Sequence, residues 1–304
     1  MSSWSRYITE FVSYLKIEKG LSPNSIIAYK NDTDKLKNYC EDNKLSAKQV
    51  QYEHLKNFVA ELYDLGLSAR SQARIISGIK QFFAYLLLEN LITADPSELL
   101  EQPKIGRKLP EVMTIEEIDS LINANDLQKN EGYRNRAILE VLYSCGLRVT
   151  ELVELKFSDL FYDEGFIRVI GKGNKERLVP LSKNVEKEIE LYAKKMRSKL
   201  KIKKGNENFV FLNRRGSKLS RVMVFLIIKD LAKKVDLKKS ISPHTFRHSF
   251  ATHLIEGGAN LRAIQEMLGH ETIITTEIYT HLDQRFLKDA ILSYHPRNSN
   301  SKTD

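Results

Sequence analysis

With 304 residues, 42% of them hydrophobic and 29% charged, the chain has the make-up of a globular protein long enough for two domains. No apolar run approaches the roughly 20 residues of a membrane helix, which excludes a helical membrane protein and predicts no membrane partner. Lys and Arg number 48 against 39 Asp and Glu, a net charge of +9, and such a surface draws polyanions through counterion release, so nucleic acid is the leading partner class.

The opening stretch, MSSWSRYITEFVSYLK, has neither a basic n-region before an apolar core nor a small-residue cleavage site, so a cytoplasmic protein is expected. From Ser5 to Asn90 apolar residues recur at three- and four-residue spacing, for example Phe11, Tyr14 and Leu15, then Ile75, Ile79, Phe82, Phe83 and Leu86. Ser22-Pro23 supplies an N-cap followed by proline at the first helical position, and Gly66-Leu67-Ser68 separates two later patterns. Four main helices without strands are predicted, making residues 1–100 an all-helical domain. Cys40 here and Cys145 later are too few for a disulfide framework or a four-cysteine zinc site, and both are expected to be reduced core thiols.

Residues 101–110, EQPKIGRKLP, combine two prolines, a glycine and three basic residues, and are expected to be a linker that can lie along DNA phosphates. The second domain is placed at 111–295. Thr114 and Glu117 form a capping box, and helical patterns run on to Leu155. The period then changes: Phe166–Ile170 and Arg177–Leu181 are short β-rich runs around the glycine-bearing loop 171–176, a hairpin, with a possible third strand at Phe209-Val210-Phe211. Helical patterns resume from Asn184, and a disordered tail is placed at 296–304. The fold class is therefore mainly α with a small β-sheet.

The chemistry-bearing residues concentrate from Ser242-Pro243, a helix start. His244 and Arg247 are three apart and share a face of the first turn, close to the positive end of the helix dipole. Arginine offers a fork of donors to a phosphate, while histidine can exchange a proton with one of its oxygens. The spacing of His244 and His248 also suits a metal pair, but a zinc-protease helix wants an HExxH glutamate, and Thr245, Phe246 and Arg247 stand there instead. Phe246, Phe250 and Leu254 are expected in the core, with His248 and His253 structural. Gly269 is a C-cap before His270, and Tyr279 follows.

The strings His244-Thr-Phe-Arg247, Leu268-Gly-His270 and Ile278-Tyr279-Thr280-His281, in this order, resemble the C-terminal signature of the tyrosine recombinase (phage integrase) family. Tyr143 to Leu152 resembles the segment that bears that family's first catalytic arginine, Arg148, and Gly171-Lys172-Gly173 resembles its β-hairpin lysine. Phe246 departs from the leucine common in the family, an apolar exchange expected to leave the chemistry unaffected. The likeness runs from Thr114 to about Leu287, and the helical region fits the family's four-helix, SAM-like core-binding domain, which with the mixed α/β catalytic domain closes around double-stranded DNA as a two-part clamp.

The resemblance implies strand cleavage and rejoining through a 3′-phosphotyrosyl link, with no cofactor and no metal. In that mechanism Tyr279 is the nucleophile and Arg148 and Arg247 clamp the non-bridging oxygens. Lys172 protonates the departing 5′-oxygen, His244 acts as acid or base beside the tyrosine, and His270 hydrogen-bonds the phosphate. Glu151, one turn past Arg148, is expected to orient its guanidinium. Compactness favours the Xer-type branch. That branch implies a tetramer on two DNA sites, a paralogous XerC-like recombinase as partner, control by an FtsK-type DNA translocase, and resolution of chromosome dimers at a short palindromic site during cell division. Three alternatives stay open: a phage or transposon integrase, a non-catalytic DNA-binding relative, and a metal-dependent nuclease that would outlive loss of Tyr279.

Overall fold

The computed structural model describes residues 3–106, 111–129, 131–171, 175–269 and 281–299. The chain divides into two compact units, 1–108 and 109–304.

The first unit holds four main helices, α1 (Ser3–Ile17), α2 (Pro23–Asp42), α3 (Tyr52–Asp64) and α4 (Ala69–Leu88). The expected cap opens α2, where Ser22 Oγ accepts from the Ser25 amide at 3.3 Å with Pro23 at the first position. Trp4, Phe11, Phe82 and Phe83 fill the core, with Trp4 and Phe82 stacked at 5.8 Å. The indole N–H, which would be costly to bury alone, donates to the Leu45 carbonyl at 3.0 Å. Cys40 is a buried free thiol, and its burial pushes its pKa up to about 12.

The second unit starts with α5 (Ile115–Asn123), whose capping box is formed: the Thr114 amide donates to Glu117 and the Glu117 amide donates to Thr114 Oγ1. Next come α6 (Gly132–Cys145) and α7 (Val149–Glu154), then an antiparallel sheet of β1 (Leu160–Phe161), β2 (Phe166–Ile170) and β3 (Glu176–Pro180), in that order. The hairpin pairs Phe166 with Pro180 and Ile170 with Glu176. After it come α8 (Lys183–Lys195), α9 (Arg221–Lys234), α10 (Pro243–Glu256), α11 (Leu261–Leu268), α12 (His281–Tyr294) and α13 (Pro296–Ser299). Phe246, Phe250 and Leu254 of α10 pack with Ile138 and Leu142 of α6 in one core.

Two expectations need correction. The third strand is β1, not 209–211. Phe209 makes only an isolated bridge to Lys156, through the Val210 amide on the Leu155 carbonyl and the Phe157 amide on the Asn208 carbonyl, because the chain then changes partner: the Phe211 carbonyl accepts from the Leu219 amide as Leu212 bridges Lys218. Nor is 296–299 a disordered tail. Arg297 is drawn in by Asp119 at 2.5 Å and Glu140 at 3.3 Å and lies over the Tyr143 ring, while His295 before it is fully buried. Residues 300–304 lie outside the described residues.

Candidate active site

The site grows from the end of α6. Gly146 halts that helix in the left-handed region at φ 58°, and an added Cβ would fall 2.5 Å from the Phe250 ring, so only glycine fits. The turn leaves the Gly146 carbonyl facing α10, where it accepts from Arg247 Nη1 at 2.8 Å. Two residues on, Arg148 opens α7. Glu151, one turn later, reaches back to accept from the Arg148 amide at 2.7 Å and from its Nη1 at 2.9 Å. Glu151 thus binds both the backbone and the guanidinium of Arg148.

A third arginine completes the cluster. Arg177 of β3 forks onto Glu151, Nη1 to Oε1 and Nη2 to Oε2, both at 2.8 Å. Its Nε donates to the Met267 carbonyl at 2.7 Å. The next two carbonyls at the end of α11 are also taken by arginines, Leu268 O by Arg247 Nη2 and Gly269 O by Arg148 Nη2 at 3.3 Å. Helix α11 thus ends with its negative dipole pole facing three guanidinium groups, the favourable sign.

One carboxylate therefore stands among three cations, an arrangement with positive charge to spare. Burial would raise the Glu151 carboxyl, but the hydrogen bonds and charge of Arg177, followed by those of Arg148, outweigh it and hold it below the ordinary 4.5. Arg247 shows the opposite strain. Burial first, then the charge of Arg148, bring its pKa down to about 10 despite Glu151, so it stays cationic at neutral pH while gaining from any added anion. Arg148, with a side chain 37% exposed, lies where such an anion can reach it.

Of the residues picked out in the sequence, Arg148, Glu151 and Arg247 come together, with Arg247 Nη1 at 3.9 Å from Glu151. His244 is exposed on the same first turn of α10 as Arg247. Lys172, His270 and Tyr279 lie outside the described residues. His253 is structural, its Nδ1 2.9 Å from the buried Tyr143 hydroxyl. Among the described residues no three His, Cys, Asp or Glu side chains gather as a metal site. Sequence reasoning missed Arg177. Its signal is phase: Arg177 alternates with Val179 on the buried face of β3, where an unpaired cation would be untenable.

Residues 111–285 match the phage integrase family, and residues 8–90 match the N-terminal SAM-like domain of phage integrases. The chain belongs to the phage integrase family. It is a tyrosine recombinase, an enzyme of DNA strand cleavage and transfer. Among its relatives, the tyrosine recombinase XerD of Staphylococcus epidermidis is 44% identical over 291 residues, 95% of this chain and 98% of that protein. The XerD of Chlorobaculum tepidum is 41% identical over 298 residues, 97% of each chain. A solved structure of the XerH site-specific recombinase bound to its difH substrate in a pre-cleavage complex aligns over 93% of this recombinase and 83% of that chain, with TM-score 0.66 and 25% identity.

Proposed function

We propose that this recombinase acts at a specific site in duplex DNA, joining itself to the strand through Tyr279, and that it resolves chromosome dimers at a short palindromic site during cell division. The observation that carries the chemistry is the convergence of Arg148 and Arg247 on one carboxylate in a cluster with excess positive charge. In phosphodiester transfer, charge builds on the two non-bridging oxygens, and fixed cationic donors stabilise it most where water is displaced. Two planar forks suit those oxygens better than an ammonium group would.

The Tyr279 oxygen attacks phosphorus as the bond to the 5′-oxygen breaks. His244 takes the tyrosine proton, Lys172 delivers one to the 5′-oxygen, and His270 hydrogen-bonds a non-bridging oxygen. The bond energy is kept in the phosphotyrosyl link, so a 5′-hydroxyl from another strand can reverse the step. The physiological role rests on relatives named XerD that match over almost their whole length. It implies a tetramer on two DNA sites in the cytoplasm, working with a paralogous XerC-like recombinase and answering to an FtsK-type translocase.

The test mixes wild type or Tyr279→Phe with sheared genomic DNA from the source cell in chelator, denatures the mixture, and sequences DNA that stays attached to protein. One palindromic chromosomal locus trapped by wild type alone is expected. Equal trapping by both proteins would overturn Tyr279 as nucleophile, and capture confined to a mobile element would move the role to an integrase.

A further inference from the structure

We propose that Arg177 is a positioning residue for strand cleavage: by forking onto Glu151 it keeps that carboxylate from capturing Arg148, whose guanidinium is thereby left for the scissile phosphate. The proposal rests on Arg148 and Arg247 being the phosphate clamp.

Three observations lead there. First, Arg177 is sealed in, its side chain only 7% exposed, so it acts on DNA through other groups. Second, it takes one lone pair on each Glu151 oxygen at 2.8 Å, leaving Arg148 a single side-chain bond, Nη1 to Oε1. A carboxylate with both oxygens open prefers a two-bond fork from the nearest guanidinium. Without Arg177 the nearest is Arg148, three residues away on the same short helix, and a fork would draw it down onto Glu151. As it is, Arg148 Nη2 makes only a 3.3 Å bond to the Gly269 carbonyl, readily exchanged for a phosphate oxygen.

Third, Arg177 ties that carboxylate to the end of α11. Its Nε holds the Met267 carbonyl, beside the Leu268 carbonyl that receives Arg247. Gly269 is left-handed at φ 63°, and an added Cβ would meet Arg177 Cδ at 3.2 Å, so helix end and side chain are fitted to each other. A single buried fork therefore sets the clamp and the last turn before His270 in one frame.

The experiment compares Arg177→Met, Arg177→Lys, Arg177→Met/Glu151→Gln, Glu151→Gln and Arg148→Ala with wild type, all full length. It measures the rate of covalent attachment to sheared genomic DNA from the source cell at saturating DNA, the affinity for the same DNA, and the thermal midpoint. Arg177→Met is expected to slow attachment by about 10- to 100-fold, the usual effect of losing a supporting partner, with DNA affinity unchanged. Arg177→Lys falls between, since it keeps the charge but not the fork. Glu151→Gln slows the wild type yet restores part of the rate lost in Arg177→Met, because a neutral amide holds Arg148 weakly.

A wild-type rate in Arg177→Met or Arg177→Lys, affinity falling in step with rate, or no recovery in the double variant would overturn the proposal. Should Arg177→Met fail to fold, Arg177→Lys and the double variant, which removes Arg177 together with the carboxylate charge it neutralises, decide it. If Arg148→Ala attaches DNA at the wild-type rate, the clamp itself is wrong. If Arg148→Ala is dead and Arg177→Lys is normal, only the role of Arg177 falls.

Discussion

Replacing Glu151 by Gln removes one negative charge from the centre of three guanidinium groups. The carboxylate accepts two side-chain bonds from Arg177, one from Arg148 and one from the Arg148 amide. An amide has one oxygen for these donors and turns its own N–H groups toward a guanidinium. Arg177 then lies buried without a counter-charge, and breaking a buried pair from one side costs about 3–5 kcal/mol. For a unit of this size each kcal/mol moves the melting point by about 2–4 °C, so the midpoint should fall by about 10 °C.

Glu154→Gln, three residues on, is the control. Its bond to Lys218 at 2.6 Å joins two side chains that are each more than a third exposed and should be worth at most about 1 kcal/mol. Scanning calorimetry of the full chain at neutral pH measures both. The folded Glu151 binds its proton less tightly than an unfolded chain, whose value is near 4.5. Its contribution is therefore complete above about pH 4.5 and is lost as pH falls through the lower folded value, so the gap between wild type and Glu151→Gln closes in acid. A gap at neutral pH no larger than that of Glu154→Gln, or one that persists undiminished in strong acid, would refute the idea that Glu151 is the ionic hub.

Gly146→Ala should destabilise the second unit by about 1–2 kcal/mol from the left-handed backbone alone, with more from the Phe250 contact, and should slow DNA attachment by shifting the carbonyl that holds Arg247. An unchanged melting point and rate would contradict this. Burial brings His295 down to about 3 from 6.5, so below pH 6.5 the unfolded chain takes up a proton that the folded protein refuses. Stability should drop by about 2 kcal/mol between neutrality and pH 5 from this residue, and His295→Phe should flatten that slope in denaturant titrations; a parallel slope would count against it. Burial also pushes the Cys145 thiol up, so native protein should resist thiol reagents at this position that label it fully in denaturant, which peptide mapping can follow.

What the sequence discloses and what it hides divide along a physical line. The four helices of the first unit, the Thr114 capping box, the glycine stop after Leu268 and the β2–β3 hairpin were legible because each follows from neighbours a few positions apart. Phe209-Val210-Phe211 misled because a buried apolar run has no phase to tell a strand from a buried loop, whereas β1 has only two residues and carries almost no signal. Arg297 escaped because its attraction comes from Asp119 and Glu140, far upstream. The cluster was half legible. Arg148, Glu151 and Arg247 could be named from their motifs, but Arg177 could be linked to Glu151 only once β3 was seen to pack beside α7 and α11.

In the proposed reaction the phosphate held by Arg148 and Arg247 is transferred to Tyr279. Its most direct test digests the covalent protein–DNA adduct with nuclease and protease, sequences the nucleotide-bearing peptide by mass spectrometry, and assays the released DNA end. A nucleotide joined through its 3′-phosphate to the peptide containing Tyr279 is expected, with a 5′-hydroxyl end that a polynucleotide kinase labels without prior dephosphorylation. A nucleotide on another residue, or 5′-phosphate ends with no covalent adduct, would contradict it.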